Sequence, residues 1–114
     1  GLLVTPVPLH ATRLRERGFN QSERIARVLA SGLGLALAPA LVRRTQRTAD
    51  QKQLDAAARS RNLRGAFAAA DCAGRRIALV DDVITTGATA NAVTAALLDA
   101  GAAEVRVWCL ARAL

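Results

Sequence analysis

Apolar residues fall in short clusters along this chain, and the spacing within each cluster sets its expected element. Residues 2–7, LLVTPV, form a near-continuous apolar run, which predicts a short buried strand. Pro8 to Gly18 cannot extend it and read as a loop. Asn20, with Glu23 three residues on, has the form of an N-cap and capping box. Ile25, Leu29 and Leu33 follow at helical spacing with Ala26 beside them, and Gly32 and Gly34 close that helix. Residues 37–42 suggest a second strand, interrupted by Pro39. Residues 43–53, RRTQRTADQKQ, contain no large apolar side chain and predict an exposed, mobile loop.

Further on, Asp55 suits the cap of a short helix, AAARSRNL, and residues 65–67 open a brief strand. After a turn at 71–74, residues 76–80 carry a continuous apolar run, as a parallel strand covered on both faces would. Val93, Ala96, Leu97 and Ala100 mark one face of a helix that Gly101 stops, and residues 105–110 form a last strand. Strands alternating with helices imply an α/β domain, a mainly parallel central sheet with helices on both faces.

Composition narrows the class. At 114 residues, 52% of them hydrophobic, the chain fits a single small domain with a real core. No apolar run approaches the roughly 20 residues of a membrane span, so no membrane insertion is expected. No charged-then-apolar leader is visible, so no secretory signal is read. The chain starts at Gly1 rather than Met, which puts the expected natural start upstream. Cys72 and Cys109 lack paired spacing and read as free thiols of a reducing, cytoplasmic compartment. With His10 the single histidine, a His/Cys metal site is not expected.

Charge divides the chain. Residues 1–64 hold 12 cations and 4 acids, against 4 and 5 in residues 65–114. A basic first half points to an anionic partner, either nucleic acid or a phosphorylated small molecule. Lys52 is the one lysine, and arginine is the better bidentate partner for phosphate. A coding bias toward Arg and Ala would produce the same ratio.

The acids of the second half cluster in LVDDVITTGAT, residues 79–89. Val80 is read as the end of its strand, with Asp81 and Asp82 just beyond it. Ligands of open parallel sheets bind at that edge. A helix is expected to start near Thr89 or Ala90, and Gly87 lets backbone approach a ligand without an intervening Cβ. Successive amides at a helix start, with the hydroxyls of Thr85, Thr86 and Thr89, make an anion cradle. Phosphate beside two carboxylates requires a ligand with two chemically different ends. A ribose 5-phosphate meets this: its hydroxyls donate to the acids and its phosphate enters the loop. Neither the P-loop nor the G-x-G-x-x-G pattern is present.

IALVDDVITTGAT, residues 77–89, resembles the motif with which type I phosphoribosyltransferases bind PRPP (5-phosphoribosyl 1-diphosphate). The resemblance implies their fold, ribose binding by Asp81 and Asp82, and 5′-phosphate binding by Thr85, Thr86, Gly87, Ala88 and Thr89. PVPLH, RLRERGFNQ and the run through NLRGAF to Phe67 extend it over nearly the whole chain and resemble the ComF family. That family is linked to competence and DNA uptake. Its cysteine-rich zinc ribbon is missing from this sequence.

By the same resemblance, residues 8–18 would hold the diphosphate. Arg17, beside Gly18, is the preferred binder; Arg13 and Arg15 either join it or form a solvated basic loop, and His10 is read as exposed. The segment 43–62 would be a catalytic loop closing over PRPP, with Arg43, Arg44, Gln51 and Arg59 as candidates to absorb leaving-group charge beside Mg²⁺ carried by the ligand. The alternative is a surface loop without catalytic duty. Thr85 stands where 6-oxopurine enzymes of the family carry a basic Asp, which argues against those acceptors. Trp108 is read as core or interface rather than a base platform. The resemblance allows a homodimer, since the family often dimerises, and the sequence leaves the oligomeric state open. Three functions follow: phosphoribosyl transfer to an unidentified nitrogen nucleophile, a non-catalytic PRPP or nucleotide sensor, and a DNA-uptake factor. The last would act on single-stranded DNA or through the uptake machinery.

Overall fold

In a computed structural model of the chain, residues 1–9, 20–45, 65–84 and 87–112 are described. The elements are β1 (Leu2–Pro6), α1 (Gln21–Leu33), β2 (Ala36–Leu37), β3 (Val42–Arg44), β4 (Phe67–Ala69), β5 (Arg76–Ile84), α2 (Ala88–Asp99) and β6 (Glu104–Arg112). Four strands make a parallel sheet in the order β2-β1-β5-β6, and β3 and β4 make a separate antiparallel pair.

This order decides where the helices lie. From the centre of the sheet the chain steps outward in opposite directions, β1 to β2 and β5 to β6. Crossovers of one hand therefore put α1 and α2 on opposite faces. The packing agrees. Ala78 and Val80 of β5 join Val4 of β1 beneath Ala26 and Ala30 of α1. The alternate residues Ile77 and Leu79 join Leu3, Val93, Leu97 and Phe67 on the α2 face.

Asn20 caps α1 as the sequence suggests, its side chain accepting from the Ser22 amide at 3.0 Å. Glu23 lies 3.7 Å from Arg27 one turn on, so it makes an i,i+4 pair. Gly101 has φ +99°, and a Cβ there would come within 2.9 Å of the Ala73 Cα. Both backbone conformation and space therefore demand glycine at the end of α2. Cys72 and Cys109 are free thiols, one buried and one exposed. No helix among the described residues is long and apolar enough to cross a membrane.

Four expectations need correcting. The strand read across residues 37–42 is two strands in two sheets, separated by a turn at Pro39 and Ala40. Arg43 and Arg44, placed in an exposed loop, belong to β3 and pair with Ala68 and Phe67. α2 begins at Ala88, behind a Gly87 N-cap, rather than at Thr89 or Ala90. The buried stripe of α1 is Ser22, Ala26 and Ala30, whereas Ile25 and Leu29 are half-buried and Leu33 is 59% exposed. Small residues let the helix sit close to the sheet, and the large ones point along its flank. The short helix read near Asp55 lies outside the described residues.

Candidate functional site

β5 is longer than its sequence pattern suggests. It runs to Ile84, so Asp81 and Asp82 are part of the strand and do not follow it. The two neighbours of β5 differ in length. Pairing with β1 stops at Pro6 opposite Val80, whereas pairing with β6 continues through Asp81–Cys109 to Ile84–Arg112. The acidic pair thus projects past β1 on a strand still held by β6. This notch lies between β1 and β5, where the direction of chain progression reverses and ligands of open α/β sheets bind.

The N-terminus of α1 closes one side of the notch. The Val7 amide donates to the Val80 carbonyl at 2.9 Å, and Asn20 Nδ2 donates to the Val7 carbonyl at 3.2 Å. Val7 and Asn20, which flank residues 8–19 in sequence, are therefore held together at the base of Asp81. Arg13, Arg15, Arg17 and His10 lie outside the described residues, but the chain that carries them leaves and re-enters at this point. Ser22, 5% exposed, presents its hydroxyl to the Asp81 carboxylate. Sequence reasoning missed Ser22, since a serine inside a helix carries no local signal of what it faces.

The Asp81 carboxylate accepts a hydrogen bond from the Asp82 amide at 3.0 Å. Burial pushes its pKa above the ordinary 3.8, and the charge and side chain of Asp82 push the same way. The Asp82 amide and the Ser22 hydroxyl act in the opposite sense. A half-buried carboxylate under such strain gains from hydroxyl donors that do not add negative charge.

Beyond β5, Gly87 caps α2 with φ +82° and no side chain caps the helix. A Cβ at Gly87 would meet only Asn91 Nδ2 at 3.9 Å, so glycine is required there by backbone conformation rather than by protein contacts. Ala88 is exposed and Thr89 half-buried in the first turn of α2. Thr85 and Thr86 lie outside the described residues, bracketed by β5 and Gly87.

Arg43 and Arg44 sit on the β3–β4 pair, off the sheet that carries the acids. The Arg44 guanidinium lies 4.8 Å from the centre of the Phe67 ring, a cation–π contact. Arg43 is exposed. Arg59 and Gln51 lie outside the described residues. Trp108 packs against the α1-side cluster and lines a hollow with Ile25, Leu29 and Leu33, in keeping with a core or interface role. Among the described residues no group of three or more His, Cys, Asp or Glu could hold a metal ion. The Asp81–Asp82 pair suits a hard cation only if a ligand supplies most of its oxygens, as Mg²⁺ held by phosphates does.

The notch, its acids and the glycine-led helix define a class of protein. The phosphoribosyl transferase domain matches residues 17–114, and the chain belongs to that family. Within it the chain is of the ComF type. The DNA utilization protein YhgH of Escherichia coli is 43% identical over 97% of this chain and 49% of its own length. Competence protein F of Haemophilus influenzae is 40% identical over 96% and 50%, and competence protein ComFC of Streptococcus pneumoniae 34% over 93% and 46%. The chain spans about half the length of these relatives.

Proposed function

We propose that the domain binds PRPP and transfers its 5-phosphoribosyl group to a nitrogen nucleophile. The observation that carries this reading is the placement of Asp81 and Asp82 on a strand overhanging the switch point, shortly before Gly87, which caps α2 with no side-chain hydrogen bond to its first amides. Asp81 and Asp82 accept hydrogen bonds from the ribose 2′ and 3′ hydroxyls. The first amides of α2, with Thr85, Thr86, Gly87, Ala88 and Thr89, take the 5′-phosphate. Arg17 binds the diphosphate. As C1 loses its bond to diphosphate oxygen and gains one to nitrogen, positive charge develops on the ribose, which the nearby carboxylates favour. Diphosphate leaves with its negative charge balanced by arginines. Arg43 and Arg59 serve here better than Arg44, whose guanidinium is engaged on Phe67. Mg²⁺ arriving with PRPP would neutralise part of the same charge.

Calorimetric titration of PRPP with Mg²⁺ tests this, with Asp81→Asn/Asp82→Asn as control. Binding by the wild type that is lost in the variant is expected, followed by diphosphate release on acceptor screening. Binding without turnover for any acceptor would reduce the site to a PRPP or nucleotide sensor. No binding by folded wild type would overturn the reading.

A second reading has its own support. Relatives are named for competence and DNA utilization, and the first 64 residues carry a large cationic excess. A cytoplasmic DNA-handling role through single-stranded DNA or an uptake partner predicts binding that falls steeply with salt. A flat salt response would rule it out.

A further inference from the structure

Four hydrogen bonds at the start of α1 form a ring that closes on Asp81. The Val80 carbonyl accepts from the Val7 amide, and the Val7 carbonyl accepts from Asn20 Nδ2. Asn20 Oδ1 accepts from the Ser22 amide. The Ser22 hydroxyl donates to the Asp81 carboxylate, and Asp81 follows Val80 in the chain, where the ring began. The sheet therefore fixes where this hydroxyl stands relative to the acid, because a shift of one member strains the others.

The hydroxyl has little else to do. Among the described residues, Thr5 and Ser22 are the buried polar or charged side chains. The Thr5 hydroxyl donates to the Ala38 carbonyl at 2.8 Å. A serine inside a helix commonly returns its hydroxyl to the carbonyl four residues back. Ser22 is the second residue of α1, so no carbonyl of the helix lies there. A buried hydroxyl left without a partner is costly, and Asp81 is the partner this one has.

Resting on the ribose phosphate reading of the site, we propose that Ser22 is a positioning residue for the sugar, whose hydroxyl holds the Asp81 carboxylate so that its free lone pairs face the notch. An ionised carboxylate offers about four lone-pair sites. The Asp82 amide and Ser22 occupy two from the protein side, and the rest are left for donors of the ligand. Of the neighbouring elements, α1 brings Ser22 to Asp81 and β6 brings Cys109 opposite it in the strand register, while the charge acting on it is that of Asp82. Without Ser22, burial and the Asp82 charge are opposed by the Asp82 amide alone. The carboxylate then relieves its repulsion by rotating or by taking up a proton, and both weaken the acceptors offered to ribose.

Ser22→Ala removes the hydroxyl and keeps the helix, since alanine is the best helix former and Asn20 still caps. Asn20→Ala would be a poorer choice because it strips the cap as well. In the ligand-free chain, the NMR shift of the Asp81 carboxyl carbon is followed against pH. The Asp81 pKa should move further up in Ser22→Ala and return in Ser22→Thr, which keeps a hydroxyl. In calorimetry with PRPP and Mg²⁺, Ser22→Ala should weaken binding roughly tenfold, as for loss of one hydrogen bond to a charged group, with unchanged circular dichroism. The pH below which PRPP binding is lost should rise with the Asp81 pKa. An Asp81 titration indifferent to Ser22→Ala, or an unchanged PRPP affinity, would overturn the proposal. So would a folded Ser22→Thr that behaves like Ser22→Ala, since shape rather than the hydroxyl would then be responsible. A folded wild type that binds no PRPP would instead sink the ribose phosphate reading, and the positioning role with it.

Discussion

The two faces of the central sheet are built from different side chains. On the α2 face, Ile77, Leu79, Val93 and Leu97 are fully buried and the β3–β4 pair adds Phe67 and Val42. On the α1 face the contact is made by Ala26, Ala30 and Ala78, with Val4 and Val80 the largest buried residues. The first face is a thick layer whose stability comes from buried volume. The second is a thin one in which close approach matters more than bulk, leaving Ile25, Leu29 and Leu33 along the flank. The difference teaches that apolar size does not by itself mark a helix's core face.

The largest test removes bulk from the thick face. Leu79→Ala, with Leu79 wholly buried, should cost about 2–5 kcal/mol in chemical denaturation. A loss under about 1 kcal/mol would mean that this face collapses around cavities. The next adds bulk to the thin face. Ala26→Leu should cost about 1–3 kcal/mol, because α1 would have to lift away from β5. A neutral or stabilising result would break the comparison.

A third prediction concerns the charge at the rim of the thin face. The raised pKa of Asp81 means that the folded protein holds its proton more tightly than the unfolded chain does. Stability should therefore fall as pH rises from about 3.8 through the folded pKa, and the penalty is complete above it. Asp81→Asn should raise the melting temperature at neutral pH, with the difference vanishing below the ordinary carboxylate pKa. The same variant should lose ribose phosphate binding, so stability and binding would move in opposite directions. A variant no more stable than wild type at neutral pH would contradict the burial argument. The smallest effect is expected at Leu33→Ala, within about 0.5 kcal/mol in the monomer. A loss comparable to that of Leu79→Ala would return Leu33 to the core.

Several features were legible in the sequence because their causes are local. The alternation of strands and helices and the Asn20 cap depend on neighbouring residues. So does the Val93–Leu97 stripe of α2, whose two large apolar side chains are both buried. The acids, threonines and glycine of residues 81–89 are likewise contiguous, and the site could be nominated before its geometry was known.

What the tertiary structure decided were features set by distant partners. β5 extends through two carboxylates, residues of low strand preference, because β6 continues to pair with it past the end of β1. The chain at Pro39 divides between two sheets because β2 pairs with β1 while β3 pairs with β4. α1 turns its alanines inward because the small side chains of β5 admit a close helix there. Ser22 meets Asp81 only because that helix start docks on the end of β5. Sequence determines which residues can form an element and which chemistry they carry. Pairing across the sheet determines how far each element runs and which side chain it presents, since those free energies arise between residues far apart in the chain.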